Sequence, residues 1–360
     1  MKHGVRNPKH IDLKHVFMQR LEQGAWNIGN RIEPEFNLAG EFGVNRHTIR
    51  KAVGALVAEG YLERIHGSGT YVRKVPPAKR PVELGLTSLI VPFTIQQEGA
   101  VSSELLAGVL EGAEENGLEI IVRSSNRNLE MEAQMLQEIL TRKNHASGGL
   151  FVLDGAGKNL RTLDALRKSD FPFVLIDRNI PGVNCSFVGM DEEKACRDIA
   201  AYLSSRKHMS VLVVSCHRQV STVQERFSFL KSAFRQTGIA VNDENFVMVD
   251  AVSGQDGVGF VLAHIREKVL AKEKPPDAIV FLNRSVAVPL MRELASFPLI
   301  ISKMPEVLSF RQLPVEAPFR KGPYIDVPFV EMGREAVRIL KRTMTTGWVE
   351  QVRIPGRLVE

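Results

Sequence analysis

The hydrophobic positions of this chain follow two rhythms in turn. From Ile11 to Gly24 they recur at helical spacing, with Ile11, Val16, Phe17 and Leu21 on one face and Gly24 as the stop. A second short helix is expected over Pro34–Phe42, with a turn at Gly43-Val44. A third helix follows, capped by Asn45 and ended by Gly60, with Ile49, Val53, Leu56 and Val57 as its buried stripe. The period then shortens to two. Tyr61–Ile65 and Thr70–Arg73 read as strands joined across His66-Gly67-Ser68-Gly69, whose glycines permit the positive φ of a tight hairpin. Val75–Pro81 (VPPAKRP) then predicts a stiff, extended linker.

Beyond the linker, short apolar runs alternate with amphipathic stretches. Strands are expected at Leu86–Val91, Glu119–Arg123, Gly149–Leu153, Phe173–Ile176, Ser186–Gly189, Val211–Ser215, Phe246–Val249, Ala278–Leu282 and Leu299–Ile301. Helices are expected at Ser103–Asn116, Leu129–Thr141, Glu192–Ser205, Val223–Gln236, Gly257–Lys272 and Phe329–Thr343. Continuous apolar strands between helices imply parallel sheets covered on both faces. This length of pattern suits two such subdomains with a cleft between them.

Charge sharpens the division. Residues 1–82 hold 14 Lys and Arg against 7 Asp and Glu, so the net +6 of the whole chain arises entirely there. A basic small domain tied to a neutral large one points to an anionic partner for the small domain. No apolar run is long enough to span a membrane, and the first residues show no secretory signal. Cys185, Cys196 and Cys216 lack metal-ligand spacing and read as buried thiols of a cytoplasmic protein.

The amino-terminal motifs carry a family resemblance. Glu35, FGVNRHTIRKAV (Phe42–Val53), LVAEGYL (Leu56–Leu62) and GSGTYV (Gly67–Val72) together resemble the GntR-type winged helix-turn-helix. The usual Pro-Ser-Glu is Glu33-Pro34-Glu35 here, and Asn45 replaces the usual serine. The resemblance implies DNA contacts from Glu35, Asn45, Arg46, His47, Thr48, Arg50, Lys51, Arg64, His66, Gly67, Ser68 and Gly69. Physically, Arg46 and Arg50 suit guanine or phosphate, Thr48 suits phosphate, and Arg64, Arg73 and Lys74 add sequence-blind phosphate contacts. One winged unit covers little DNA, so a homodimer on an inverted repeat of double-stranded operator DNA is expected.

The larger region resembles the effector domain of LacI/GalR-type regulators. The carrying pieces are ELLAGVLEGAEENGLEIIV (Glu104–Val122), FPFVLIDRNIPG (Phe171–Gly182), VGMDEEKACRDIAAYL (Val188–Leu203), ERFSFLKSAF (Glu225–Phe234), AIVFLN (Ala278–Asn283) and VPFVEMGREAVRIL (Val327–Leu340). The expected fold is an N-terminal α+β winged helix-turn-helix domain followed by a C-terminal α/β domain of the type I periplasmic-binding-protein kind. The expected boundaries are 1–75, a Pro-rich linker at 76–83, and an effector-binding and dimerisation domain at 84–360. This joint architecture is similar to arabinose-repressor-type regulators. It implies an effector site at Arg127, Asp177, Arg226, Asn283 and Phe329. In that family, dimer contacts come from the helices near Ser103–Glu115 and 277–294.

Two departures concern charge. Arg284 follows Asn283 where the family has Asp, and Arg311 stands where LSFRQ replaces an acidic segment. With Arg226 they suggest an anionic sugar derivative as the effector. The competing expectation is that Arg284 or Arg311 pairs with a local carboxylate or points outward. No catalytic set emerges: His217 and Arg218 beside Cys216 lack an orienting acid, and Gly155–Lys158 lacks P-loop spacing. Asp154 and Asp191 have no clustered metal-ligand partners in the sequence. The expectation is a cytoplasmic, ligand-responsive repressor of carbohydrate genes without catalytic activity, cofactor, metal or membrane partner. Activation or corepressor dependence stays open at this point. The less favoured alternative is a small-molecule-binding protein or enzyme with an accessory DNA-binding domain.

Overall fold

The structure, a computed structural model, describes residues 9–22, 24–75, 86–93, 100–141, 146–154, 156–216, 220–249, 263, 276–284, 286–288, 291, 305–313 and 322–360. The chain divides into two compact units. One comprises Met1–Val82 with Arg342–Trp348, and the other Glu83–Lys341 with Val349–Glu360. The expected linker at 76–83, the helix Gly257–Lys272 and the strand Leu299–Ile301 lie outside the described residues, save for position 263.

In the first unit, α1 (Lys9–Glu22), α2 (Glu35–Phe42) and α3 (Arg46–Ala58) precede an antiparallel hairpin of β1 (Leu62–Ile65) and β2 (Gly69–Val72). Gly43 ends α2 in the left-handed region, and Asn45 starts α3 by accepting the Thr48 N–H at 2.8 Å. The buried face of α1 is Leu13, Phe17, Met18 and Leu21, with Val16 only half-buried. Phe17 is the centre of this core, its ring 5.4 Å from Trp26 and 5.6 Å from Phe42. Ile49, Ala52, Val53 and Leu56 pack the α3 side, while Val57 stays at the margin. Trp348 joins the same cluster from the far end of the chain.

The second unit holds two six-stranded sheets. The first contains β3 (Leu86–Val91), β4 (Glu119–Ser124), β5 (Ala146–Phe151), β6 (Phe173–Ile176), β7 (Ser186–Met190) and β13 (Gln351–Ile354), in the order β13-β7-β6-β5-β3-β4 and wholly parallel. The second contains β8 (Val211–Cys216), β9 (Phe246–Val249), β10 (Ala278–Phe281), β11 (Glu306–Phe310), β12 (Tyr324–Asp326) and β14 (Arg357–Val359). Its order is β14-β12-β11-β10-β8-β9, with only β14 antiparallel. β6, β8 and β10 are buried along their whole length, as a sheet covered on both faces requires. β11 to β14 extend the fold beyond the expected strands.

Helices α4 (Ala100–Asn116), α5 (Leu129–Thr141), α6 (Ala156–Lys168), α7 (Glu192–Ser205), α8 (Ser221–Thr237) and α9 (Phe329–Thr346) fill the connections. α4 and α9 cross at glycine. A Cβ at Gly108 would lie 2.0 Å from the Val330 carbonyl oxygen, and one at Gly333 would lie 2.5 Å from that of Leu105. This contact leaves no room for a side chain at either position. The architecture matches the expected fold class, with parallel strands whose carboxyl ends converge within each sheet.

Candidate nucleic-acid interface and effector cleft

One carboxylate organises the exposed end of α3. Glu35 Oε2 accepts from Arg50 Nε at 3.1 Å and Arg46 Nε at 3.4 Å, and its Oε1 accepts from Arg64 Nη2 at 3.0 Å. The carboxylate is mostly shielded at 17% exposure, whereas the arginines are 63% (Arg46), 53% (Arg50) and 44% (Arg64) exposed. Three guanidiniums on one anion leave a local surplus of about +2 facing outward, which favours an anionic partner. Each ion pair contributes little stability at such exposure. Their value is geometric, since the shared anchor fixes where the planar donor groups begin.

The other sequence-selected residues surround this hub. His47 and Lys51 are exposed on α3. Thr48 is half-buried, and its hydroxyl proton goes to Asn45 Oδ1 at 2.9 Å, so it faces any phosphate mainly as an acceptor. At the hairpin tip His66 and Gly67 are exposed, and Ser68 Oγ lies 2.7 Å from Tyr71 Oη. Gly67 and Gly69 have φ of 73° and 135°. A Cβ on Gly69 would meet Arg31 Nε at 2.5 Å, which places an unforeseen arginine beside the hairpin. Arg73 is exposed, and Lys74 lies over the Tyr61 ring at 5.5 Å.

Residues 14–72, which contain this hub, match the family profile described as bacterial regulatory proteins, gntR family. Over these residues the chain is similar to gntR-family regulators. Over 343 residues the chain is 24% identical to an arabinose metabolism transcriptional repressor of Halalkalibacterium halodurans, spanning 92% of this chain and 88% of that one. A LacI family transcriptional regulator from Mycobacterium smegmatis superposes with a TM-score of 0.62 at 17% identity, covering 76% of this chain and 97% of that one. The regulator CelR in complex with cellobiose gives a TM-score of 0.65 at 16% identity, covering 91% and 99%. The chain thus joins a region similar to gntR-family regulators to the fold seen in LacI-type regulators.

In that larger fold Arg127, Asp177, Asn283, Arg284 and Arg311 follow the carboxyl ends of parallel strands, where α/β sheets bind ligands, whereas Arg226 lies within α8 and Phe329 opens α9. Among the described residues, six non-glycine positions have positive φ, and four lie just past such ends. These are Asn126 (50°) and Arg127 (59°) after β4, Asp177 (66°) after β6 and Arg311 (94°) after β11. Left-handed backbone at arginine is strained, and strain of this kind collects at functional sites.

Pairing corrects part of the charge expectation. Arg226 is buried and bidentate to Glu192, with Nε to Oε2 at 2.7 Å and Nη2 to Oε1 at 2.8 Å. Its Nη1 donates to the Leu282 carbonyl at 2.9 Å, and its guanidinium covers the Phe310 ring at 4.0 Å. Burial works to lower the Arg226 pKa, but Glu192 outweighs it and holds the group above the ordinary arginine value. Arg311 Nη2 donates to Glu104 Oε1 at 3.0 Å, and its guanidinium lies 5.0 Å from the Phe329 ring centre. Two of the three arginines that suggested an anionic effector are therefore matched by carboxylates. Arg284 is half-buried at the end of β10 and forms no ion pair among the described residues. Asn283 bridges β10 to β8 by pairing with both the N–H and the carbonyl of Cys216, at 3.3 and 3.0 Å.

Arg178, just past the end of β6, is the charged residue of this set that the motifs do not single out. It pairs with Asp154 and lies 3.6 Å from Asp177, while Arg127 approaches the same Asp154 at 3.8 Å. Burial, reinforced by repulsion from Arg127, lowers the Arg178 pKa to about 10. Burial also raises Asp177 to about 6, against the attraction of Arg226. Asp154 is held from below: its N–H donates to the buried Glu132 at 2.8 Å, and Glu132 also accepts from Asn159 at 2.6 Å. The arrangement alternates planar cations with carboxylates, which suits vicinal hydroxyl groups that both donate and accept. The three cysteines are free and buried, and burial pushes the Cys185 thiol up to about 12. No group of three or more metal-ligating side chains occurs among the described residues, and no described helix is long and apolar enough to cross a membrane.

Proposed function

We propose that this chain is a cytoplasmic repressor of carbohydrate-utilisation genes that releases DNA when a polyhydroxylated effector enters the cleft. The observation that carries the reading is the Glu35 hub, which presents Arg46, Arg50 and Arg64 together from a gntR-type reader. Arg46 and Arg50 face base edges, while Arg64, Arg73 and Lys74 meet phosphates. Asp154, Asp177, Arg127 and Arg178 form the effector-facing set, framed by Phe329 and the Arg311–Glu104 bridge. Effector binding shifts the balance between two sensor states with different DNA affinity, a coupling of about 1–3 kcal/mol. The domain limits follow the same reading: a reader at 1–75, a linker at 76–83 and a sensor at 84–360.

A homodimer reads an inverted repeat. Supporting this, Leu110 on α4 is 50% exposed, and Ile121 at 45% and Val122 at 47% are exposed on the two faces of the edge strand β4. An exposed edge with apolar side chains is a liability unless another surface covers it. The pairing of Arg226 and Arg311 favours a neutral sugar over an anionic one. No catalytic role is assigned to any residue. The test is a mobility-shift assay of the full chain on its own upstream region, with and without a panel of neutral and anionic sugars. Sequence-specific binding relieved by a sugar supports the reading, and absence of a specific shift at moderate salt overturns it.

A further inference from the structure

Phe36 is the most exposed of the large apolar side chains among the described residues, at 77%. Single exposed apolar residues are ordinary on protein surfaces, so position and surroundings must carry the argument. Phe36 sits in the first turn of α2, one residue after the carboxylate that anchors Arg46, Arg50 and Arg64. The α2 helix begins at Pro34 with no side-chain cap, so its first N–H groups are open to an acceptor from outside. A helix end of this kind favours a phosphate. His47 and Lys51 add exposed polar and basic groups on the neighbouring helix. Phe36 is thus an apolar group set in an anion-facing surface.

A duplex offers one prominent apolar group in its major groove, the 5-methyl of thymine. A phosphate held at the start of α2, with the α3 arginines in the groove, would set a side chain in the first turn of α2 at the groove edge. We propose that Phe36 reads a thymine in each half-site through that methyl group. The inference rests on the DNA-binding reading and extends it, because the arginines and glycines of the motif account only for phosphate and polar base contacts. The occupant is DNA rather than a protein, since the surrounding charge is a surplus of cations held by a single carboxylate.

The experiment uses the full chain and an operator selected from random duplexes by the unsubstituted protein. Affinities are measured by fluorescence anisotropy for the unsubstituted protein and Phe36→Ala, with each thymine of the half-site replaced in turn by deoxyuridine, which lacks only the methyl. One replacement is expected to weaken the unsubstituted protein about 3- to 10-fold and to leave Phe36→Ala unchanged, as burial of one methyl-sized group predicts. Phe36→Ala is also expected to keep the salt dependence of the parent, because no phosphate contact is lost. Its thermal unfolding should match the parent, since the side chain is exposed. Equal operator affinity of Phe36→Ala and the parent overturns the inference alone. So does an equal loss from every deoxyuridine in both proteins, or a changed oligomeric state with unchanged DNA affinity. If the unsubstituted protein selects no sequence, the DNA-binding reading falls and the inference falls with it.

Discussion

Arg311 and Glu104 are 207 positions apart in the chain and 3.0 Å apart in space. The contact joins the end of β11 in one sheet's lobe to the first turns of α4 in the other's. Arg311 holds φ at 94° to make it. Arg311→Ala loses the bridge and the Phe329 stacking but keeps the strained backbone. Arg311→Gly loses the same contacts and relieves the strain. Urea denaturation should therefore find Arg311→Gly more stable than Arg311→Ala, by about 1 kcal/mol. Equal stability would mean that the backbone there is unstrained.

The buried Glu192–Arg226 pair makes a different prediction. Removing one partner strands a charge in the interior, so Arg226→Met should cost about 3–5 kcal/mol in unfolding free energy. Adding Glu192→Gln to that variant should recover a large part of the loss, because the stranded carboxylate disappears. A double variant as unstable as the sum of the two single ones would refute this coupling.

Asp177 gives the pH test. Its carboxyl titrates near 6 in the folded protein, above the ordinary 3.8, so the folded state binds the extra proton. Between about pH 4 and 6 the folded form holds more protons than the unfolded one, and stability from this group falls as pH rises. Asp177→Asn keeps the shape and tolerates φ of 66°. At pH 7 it should be more stable than the parent by about 2 kcal/mol. That advantage should vanish near pH 4, which thermal melts across this range would show.

Glu35→Ala frees three guanidiniums from their common anchor. Affinity for random DNA should hold or rise, because the surface becomes more positive. Affinity for the operator should fall about tenfold, because the arginines are no longer pre-positioned. The ratio of the two affinities, measured by anisotropy at one salt concentration, is the relevant readout. An unchanged ratio would reduce Glu35 to a surface ion pair.

The reader was legible because its signals are local. Asn45 caps the Thr48 N–H three residues on, and Gly43, Gly60 and Gly67 sit at turns with positive φ. β6 and β10 were legible as unbroken apolar runs, and β8 as a run broken only by Ser215, all buried at every position. β12 to β14 were not, because Tyr324–Asp326, Gln351–Ile354 and Arg357–Val359 are three or four residues long and only Ile325 among them is buried. In the large unit, strand ends point to Arg127, Asp177 and Arg311, but not to their partners. Arg226 meets Glu192 across 34 positions and Arg311 meets Glu104 across 207, and such pairings leave no trace in local spacing. Arg178 carries no motif of its own, since it directly follows the more conspicuous Asp177.

Trp348 closes the core of the amino-terminal unit, with Arg342 stacked on its ring at 4.1 Å. The residues that complete this unit are therefore synthesised some 260 positions after the rest of it. A nascent chain cannot finish its small basic unit first and its large unit afterwards. The segment Arg342–Trp348 joins the small unit only after strands β3 to β12 of the large unit have been made.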